Sequence, residues 1–303
     1  MIKDIISNED VKIFFRNELK MKKKSGTYLF YGSDTDQLLE FALYFAKGLC
    51  CKTLDDDFCD SCNICQRIDR LTYGDLEIVE DSNGIKVDTV RELSYKSSST
   101  ASEGEKKIFI LKDIQKLKKE AGNSLLKLIE EPAENSFFIL LTNSLNILPT
   151  IKSRSILVKI KKRSAKELEV DDFTYNFFLG NSKDIEEFKI SNIDLQKPES
   201  YEMIGTHLKK FEETEDFKEK VGIYKCVKDF INSRHYLAEQ EKIYFAEEIL
   251  RGTNNKNLQR KVIEYTVSSL GNISGLEDRL KLKNMLRFPV NIKLVLINLF
   301  VNL

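Results

Sequence analysis

Residues 27–31 form a short apolar, aromatic run closed by Gly32, after which Leu38, Ala42, Phe45 and Leu49 recur at helical spacing. That pattern predicts a strand, a loop and a helix. Leu76, Ile78 and Val79 precede the turn residues Asp81, Ser82, Asn83 and Gly84, and a helix is predicted to start at Asp88 as its N-cap and run through Val90 and Leu93. Residues 108–111 and 137–141 are apolar without alternation, the mark of strands covered on both faces. Between them Leu125, Leu126, Leu128 and Ile129 predict a helix stopped by Pro132, whose ring disfavours helical geometry in the residue before it. Strands thus alternate with helices, and residues 1–163 are predicted to be an α/β domain with a mainly parallel sheet.

Beyond Arg163 the strand-like runs fade and helical periodicity dominates. Residues 194–200, with Pro198, have the polarity of a linker. The expected division is 1–163, a small helical domain at 164–200 and a larger helical domain at 201–303. In the final segment, 290–303, only Asn291, Lys293, Asn298 and Asn302 are polar. It is short for a membrane span of roughly 20 residues, so it belongs in a bundle core or a subunit interface.

Composition adds limits to this picture. In a chain of 303 residues, 48 Lys and Arg balance 48 Asp and Glu, so no global basic field drives binding to nucleic acid or membrane. With 4 Pro and 13 Gly against 42% hydrophobic residues, long disordered segments are disfavoured. No apolar run has the length of a membrane span, and the first residues lack the core of a signal peptide. The expectation is a soluble, cytoplasmic protein.

Cysteine placement is the strongest chemical signal. Cys50, Cys51, Cys59, Cys62 and Cys65 cluster, and Cys226 stands apart as an expected core thiol. Cys50, Cys59, Cys62 and Cys65 have the spacing of a closed tetrahedral zinc site, one ion per chain, structural because four sulfurs leave no position for water or substrate. Cys51 could replace Cys50 as the first ligand, since adjacent residues do not easily reach one metal and spacing does not separate them.

The strand ending at Tyr31 and the helix that follows stand where a phosphate-binding P-loop would lie. Against G-x-x-x-x-G-K-[ST], Gly32 fits, but Gln37, Leu38 and Leu39 occupy the positions of the second glycine, the lysine and the hydroxyl. No cation is left for the β- and γ-phosphates, and no P-loop ligand for Mg²⁺. Asp34 and Asp36 add repulsion. By itself the loop is any strand-to-helix turn. Asp113, after the run 108–111, resembles the acid of a Walker B strand, but the next position is Ile114, so a base to polarise water is lacking. An acid after a strand is also commonly a turn or helix cap.

Glu130 and Glu131 are neighbours on a helix and point about 100° apart, so they suit a solvated helix end better than a catalytic pair. His207 and His235, the only histidines, offer little for a triad. Residues 152–163 carry six basic side chains and no acid. Taken alone they are a solvated basic stretch, although an arginine on a rigid segment can reach a phosphate in a neighbouring subunit.

Together these elements resemble the delta prime family of bacterial DNA polymerase III clamp-loader subunits, which have the AAA+ fold. The matching residues are 28–32, the cysteine module, the run from Asn123 through Pro132 (N-S-L-L-K-L-I-E-E-P), 137–142, and 148–155 (L-P-T-I-K-S-R-S). They cover about the first half of the chain. The last motif ends in Ser155 where the family has cysteine, with its charge retained at Arg154. The resemblance implies a AAA+ domain with a zinc module, a helical lid and a C-terminal helical domain in an oligomeric collar. It implies a stator that neither binds nor hydrolyses ATP. Ser153 and Arg154 would form the arginine-finger motif, Arg154 acting in trans on ATP held by a gamma/tau subunit. Partners would be gamma/tau and delta, and indirectly the sliding clamp and primer-template DNA, with no membrane. The competing readings are an ATP-binding AAA+ subunit with an unusual P-loop, which Leu38 opposes, and an unrelated zinc-bearing nucleic-acid-binding protein. Neutral net charge and the lack of aromatics among the basic residues of 152–163 oppose the latter.

Overall fold

The computed structural model describes residues 1–191 and 199–270, with Asn291 and Lys293. The chain divides into two compact units, Met1–Arg163 and Ser164–Leu303.

The first unit is built on five parallel strands, β1 (Gly26–Tyr31), β2 (Leu76–Val79), β3 (Lys107–Leu111), β4 (Ser136–Thr142) and β5 (Ile156–Lys159), in the order β2-β3-β4-β1-β5. Its register sets Tyr28 beside Ile139 on one side and Ile156 on the other. Apolar runs without alternation arise because both faces are covered. Tyr28, Phe30, Ile108, Ile110, Phe137 and Ile139 pack with α1 (Glu9–Lys20) and α2 (Thr35–Cys50) on one face. Leu29, Phe109, Leu111, Phe138 and Leu140 pack with α4 (Val87–Ser98) and α5 (Lys119–Glu130) on the other. A short helix, α3 (Asn63–Asp69), lies in the cysteine segment, and α6 (Pro149–Ser153) joins β4 to β5.

Three features of this unit depart from the hydrophobic pattern. The N-cap of α4 is Lys86; Asp88 lies inside the first turn, its carboxylate on Arg91 at 3.0 Å. The basic stretch is not a solvated tail: it contains β5, with Val158 and Ile160 buried between exposed Leu157 and Lys159. Arg163 is 2% exposed and donates to Glu40 Oε1 at 2.8 Å.

In the second unit, α7 (Asp172–Phe177), α8 (Ser182–Ile190), α9 (Ile204–Thr214), α10 (Phe217–Ser233), α11 (Glu239–Gly252) and α12 (Lys256–Ser269) surround one core. Phe177, Phe178, Ile185 and Phe188, expected in a separate small domain, share that core with Ile204, Tyr224, Phe230 and Val262. Phe230 stacks on Phe245 with centroids 4.0 Å apart. Gly252 allows α11 to approach α9, because a Cβ there would lie 2.6 Å from the Gly205 carbonyl oxygen. Cys226 is buried in this core as expected, and His207 is held between Glu219 at 2.6 Å and Glu199 at 3.2 Å. His235 is exposed. Residues 192–198, most of the expected linker, lie outside the described residues, as does the segment 290–303 apart from Asn291 and Lys293. Among the described residues no helix is long and apolar enough to cross a membrane.

Candidate metal centre, nucleotide loop and arginine segment

Helix α2 carries a candidate site at each end. At its C-terminus, Cys51 is the capping residue, its amide donating to the Lys47 carbonyl at 2.7 Å, and its extended backbone leads the chain out of the helix. The sulfurs of Cys51, Cys59, Cys62 and Cys65 all lie within 4.8 Å of one another. The expected first ligand Cys50 is therefore replaced by Cys51. Successive helical residues point about 100° apart, and Cys50, the last of the helix, turns into the core at 7% exposure. Burial pushes its thiol up to about 12.

The rest of the module is shaped around the sulfurs. The Cys62 amide donates to Cys59 Sγ at 3.3 Å, and the Cys65 amide donates to Cys62 Sγ at 3.5 Å, which caps α3. Hydrogen bonding from the Ser61 hydroxyl, against the opposing effect of burial, brings the Cys59 thiol down to about 5, and the Cys62 amide acts in the same direction. Burial moves Cys65 upward. Lys47 anchors the module to α2. Its ammonium lies 2.5 Å from Asp60, 3.0 Å from Asp69 and 4.5 Å from the centre of the Phe58 ring. Zinc–thiolate bonds of about 2.3 Å place tetrahedral sulfurs about 3.8 Å apart, so this all-sulfur set fits zinc or a similarly soft ion. Such an ion would supply a fixed cross-link between the end of α2 and the start of α3.

At the other end of α2 the helix is closed by its own residues. Asp34, the N-cap, accepts from the amides of Asp36 and Gln37, both at 3.2 Å. A phosphate-binding loop would offer those amides to its ligand; here a carboxylate covers them. Gln37 is buried and donates through Nε2 to the Lys161 carbonyl at 3.2 Å. Leu38, at the lysine position, is 1% exposed and packs with Phe41 and Ile160, and Leu39 packs at the margin of the same core. The chain after β5 lies tightly on the loop. A Cβ at Gly32 would collide with the Ile160 carbonyl oxygen, and Asn8 clasps Lys161, its Oδ1 accepting from the Lys161 amide at 2.7 Å and its Nδ2 donating to the Lys161 carbonyl at 2.9 Å.

Asp113 follows β3 in a left-handed turn (φ 55) and is occupied by Lys116 at 2.7 Å and Gln115 at 2.9 Å. Burial raises its carboxyl, but those two hydrogen bonds outweigh it and hold the group below the usual carboxylate range. Ile114 is buried.

Pro149 occupies the first turn of α6, where its missing N–H costs nothing, and Arg154 caps the other end. The Arg154 amide donates to the Ile151 carbonyl at 3.2 Å. Its guanidinium donates from Nη2 to Glu130 Oε1 at 3.0 Å and from Nη1 to the Thr150 carbonyl at 3.4 Å. Ser153 is exposed, its hydroxyl donating to the Thr150 carbonyl at 3.1 Å. Glu130, expected to be a solvated helix end, thus has a specific partner. The signal was its place as the last residue of α5, two residues before Pro132, where a side chain can reach the next element.

The sequence pattern described as DNA polymerase III, delta subunit, matches residues 7–164, which is more than half of the chain. The chain belongs to this family. The delta' subunit of Bacillus subtilis is 32% identical over 155 residues, 50% of this chain and 47% of the relative. That of Buchnera aphidicola subsp. Schizaphis graminum is 30% identical over 192 residues, 62% of this chain and 55% of the relative. The chain spans about half the length of these relatives. The tau subunit of Escherichia coli is 28% identical over 167 residues, 54% of this chain and 26% of tau. A gamma subunit-related protein of Thermotoga maritima has a similar fold, with a TM-score of 0.62 at 18% identity over 95% of this chain and 98% of its own.

Within this delta family member, the expected AAA+ architecture is present: a parallel sheet flanked by helices, then a region that is helical in its described residues. Of the residues singled out in the sequence, the structure gathers Cys59, Cys62 and Cys65 with Cys51, and sets Gly32, Gln37, Leu38 and Leu39 at one helix end. It leaves Cys50 apart from the sulfur cluster.

Proposed function

We propose that this protein is a clamp-loader subunit that does not itself bind ATP. It acts as a stator and presents Arg154 in trans to ATP on an adjacent gamma/tau-type subunit, within a complex that includes a delta-type subunit and places the sliding clamp on primed DNA. The observation that carries this reading is the closed N-terminal end of α2, where the Asp34 carboxylate covers the amides and Leu38 fills the core at the lysine position. Without an internal cation a triphosphate has no partner there. Membership of the delta family and similarity to delta' and gamma/tau relatives support the setting.

In this reading the chain's residues perform three tasks. Cys51, Cys59, Cys62 and Cys65 hold a structural zinc ion that stiffens the outer module. Arg154 brings a planar guanidinium to phosphate oxygens across a subunit boundary, where developing negative charge is stabilised by charge-assisted hydrogen bonds. Residues 164–200 act as the lid and 201–303 join the collar, the two packed through one shared core and helical throughout the described residues.

The test is Arg154→Ala in the complex reconstituted with gamma/tau-type and delta-type subunits. An arginine supplied in trans is worth roughly 10³- to 10⁵-fold at the site it serves. The variant should assemble normally by size-exclusion chromatography yet lose DNA- and clamp-stimulated hydrolysis at that site and load clamps poorly. Arg154→Lys should rescue little, because a point charge does not reproduce the fork. Parental hydrolysis by a fully assembled Arg154→Ala complex would remove the finger from the mechanism.

A further inference from the structure

Arg154 is bracketed by two helices. Its backbone belongs to the end of α6, and its Nη2 meets Glu130, the last residue of α5. Both supports are anchored in one core: Ile151 from α6 packs with Leu125, Leu128 and Ile129 from α5. Leu148 sits against Gly122, where a Cβ would come within 2.6 Å of its methyl group. The ends of the two helices therefore hold their separation, and the guanidinium spans it. Nη1 is directed to the Thr150 carbonyl, Nη2 to the carboxylate, and the buried Nε has no hydrogen-bond partner among the described residues.

A guanidinium has five N–H donors, and this arrangement uses one on each Nη, leaving the second N–H of each for another acceptor. The side chain is 33% exposed, against 53% for Glu130. A long, flexible side chain that must meet a phosphate loses rotamer freedom on contact unless it is already held. We propose that Glu130 is a positioning residue, holding the Arg154 guanidinium in the orientation from which it meets the triphosphate of a neighbouring subunit. This rests on the finger reading above. Glu130 touches no phosphate itself; it acts through Arg154.

The experiment compares Glu130→Ala, Glu130→Gln, Arg154→Ala and the double variant Glu130→Ala/Arg154→Ala in the reconstituted complex, at matched assembly. Glu130→Ala should lower kcat for stimulated ATP hydrolysis roughly tenfold with KM for ATP unchanged, as loss of preorganisation does. Glu130→Gln, which keeps an acceptor oxygen, should recover most of the rate. In the Arg154→Ala background, Glu130→Ala should have no further effect. A second readout needs no partner: in the isolated protein, the ¹⁵N heteronuclear NOE of Arg154 Nε should fall in Glu130→Ala and persist in Glu130→Gln. If Arg154→Ala slows hydrolysis while Glu130→Ala runs at the parental rate, the positioning role is wrong and the finger stands. A faster Glu130→Ala complex would also overturn it, making the carboxylate a restraint on the arginine. Further slowing by Glu130→Ala in the Arg154→Ala background would show a structural effect not carried by Arg154. A parental rate in Arg154→Ala would bring down the finger reading and this inference together.

Discussion

The two ends of α2 differ in how far their chemistry is satisfied from within. At the N-terminus every donor of interest has a local partner: Asp34 takes the Asp36 and Gln37 amides, and the Gln37 side chain reaches Lys161. At the C-terminus four sulfurs converge within 4.8 Å of one another, with the Cys62 and Cys65 amides and the Ser61 hydroxyl donating to them and their remaining lone pairs pointing at a common centre. One helix thus has a closed end and an end with donors to spare. A helix terminus becomes a ligand site only where the chain leaves its groups unsatisfied.

The sharpest break of this contrast lies at the sulfur end. Cys51→Ser should abolish retention of the metal and loosen residues 51–69, whereas Cys50→Ser should keep one ion per chain, measured by elemental analysis after reducing purification. Equal loss in both would undo the choice of Cys51. At the closed end, Leu38→Lys buries an unpaired ammonium among Phe41 and Ile160 and should cost roughly 3–5 kcal/mol, a drop in Tm of roughly 10 °C by calorimetry. Millimolar ATP should leave the Tm of both the parent and this variant unchanged, since ligands stabilise only through native-state occupancy. An ATP-dependent rise in the parent would reopen that end. The smallest effect should come from Asp34→Ala, where losing the cap costs about 1 kcal/mol in chemical denaturation.

Much of this was legible in the chain. β1, β3 and β4 stand out because both faces of the sheet are covered, and Cys59, Cys62 and Cys65 converge because close spacing leaves thiols few other arrangements. The choice between Cys50 and Cys51 depends on the rotation at which α2 ends, which spacing does not encode. Strand β5 is hard to find because it is a four-residue edge strand, Ile156–Lys159, set inside a basic stretch whose charges mask its short apolar run. Arg163 belongs to the same basic stretch, yet is buried on Glu40, a partner far away in sequence. Glu130, one of two adjacent acids, is distinguished from Glu131 only by its ion pair to Arg154 at the end of another helix, which the sequence does not show.

The closure at Asp34 also bears on descent. Under the proposed reading, one substitution would not give this loop a phosphate site, because a glycine at Gln37, a lysine at Leu38 and a hydroxyl at Leu39 would all be needed together with the loss of the Asp34 cap. Losing Asp34 or Gln37 removes a hydrogen bond and a lysine at Leu38 buries a charge, with no bound ligand to offset either. In that reading the loop is held by interlocking contacts, so a change toward phosphate binding has to come as a set, and the cost of any one of its steps falls on folding before it gains anything in function.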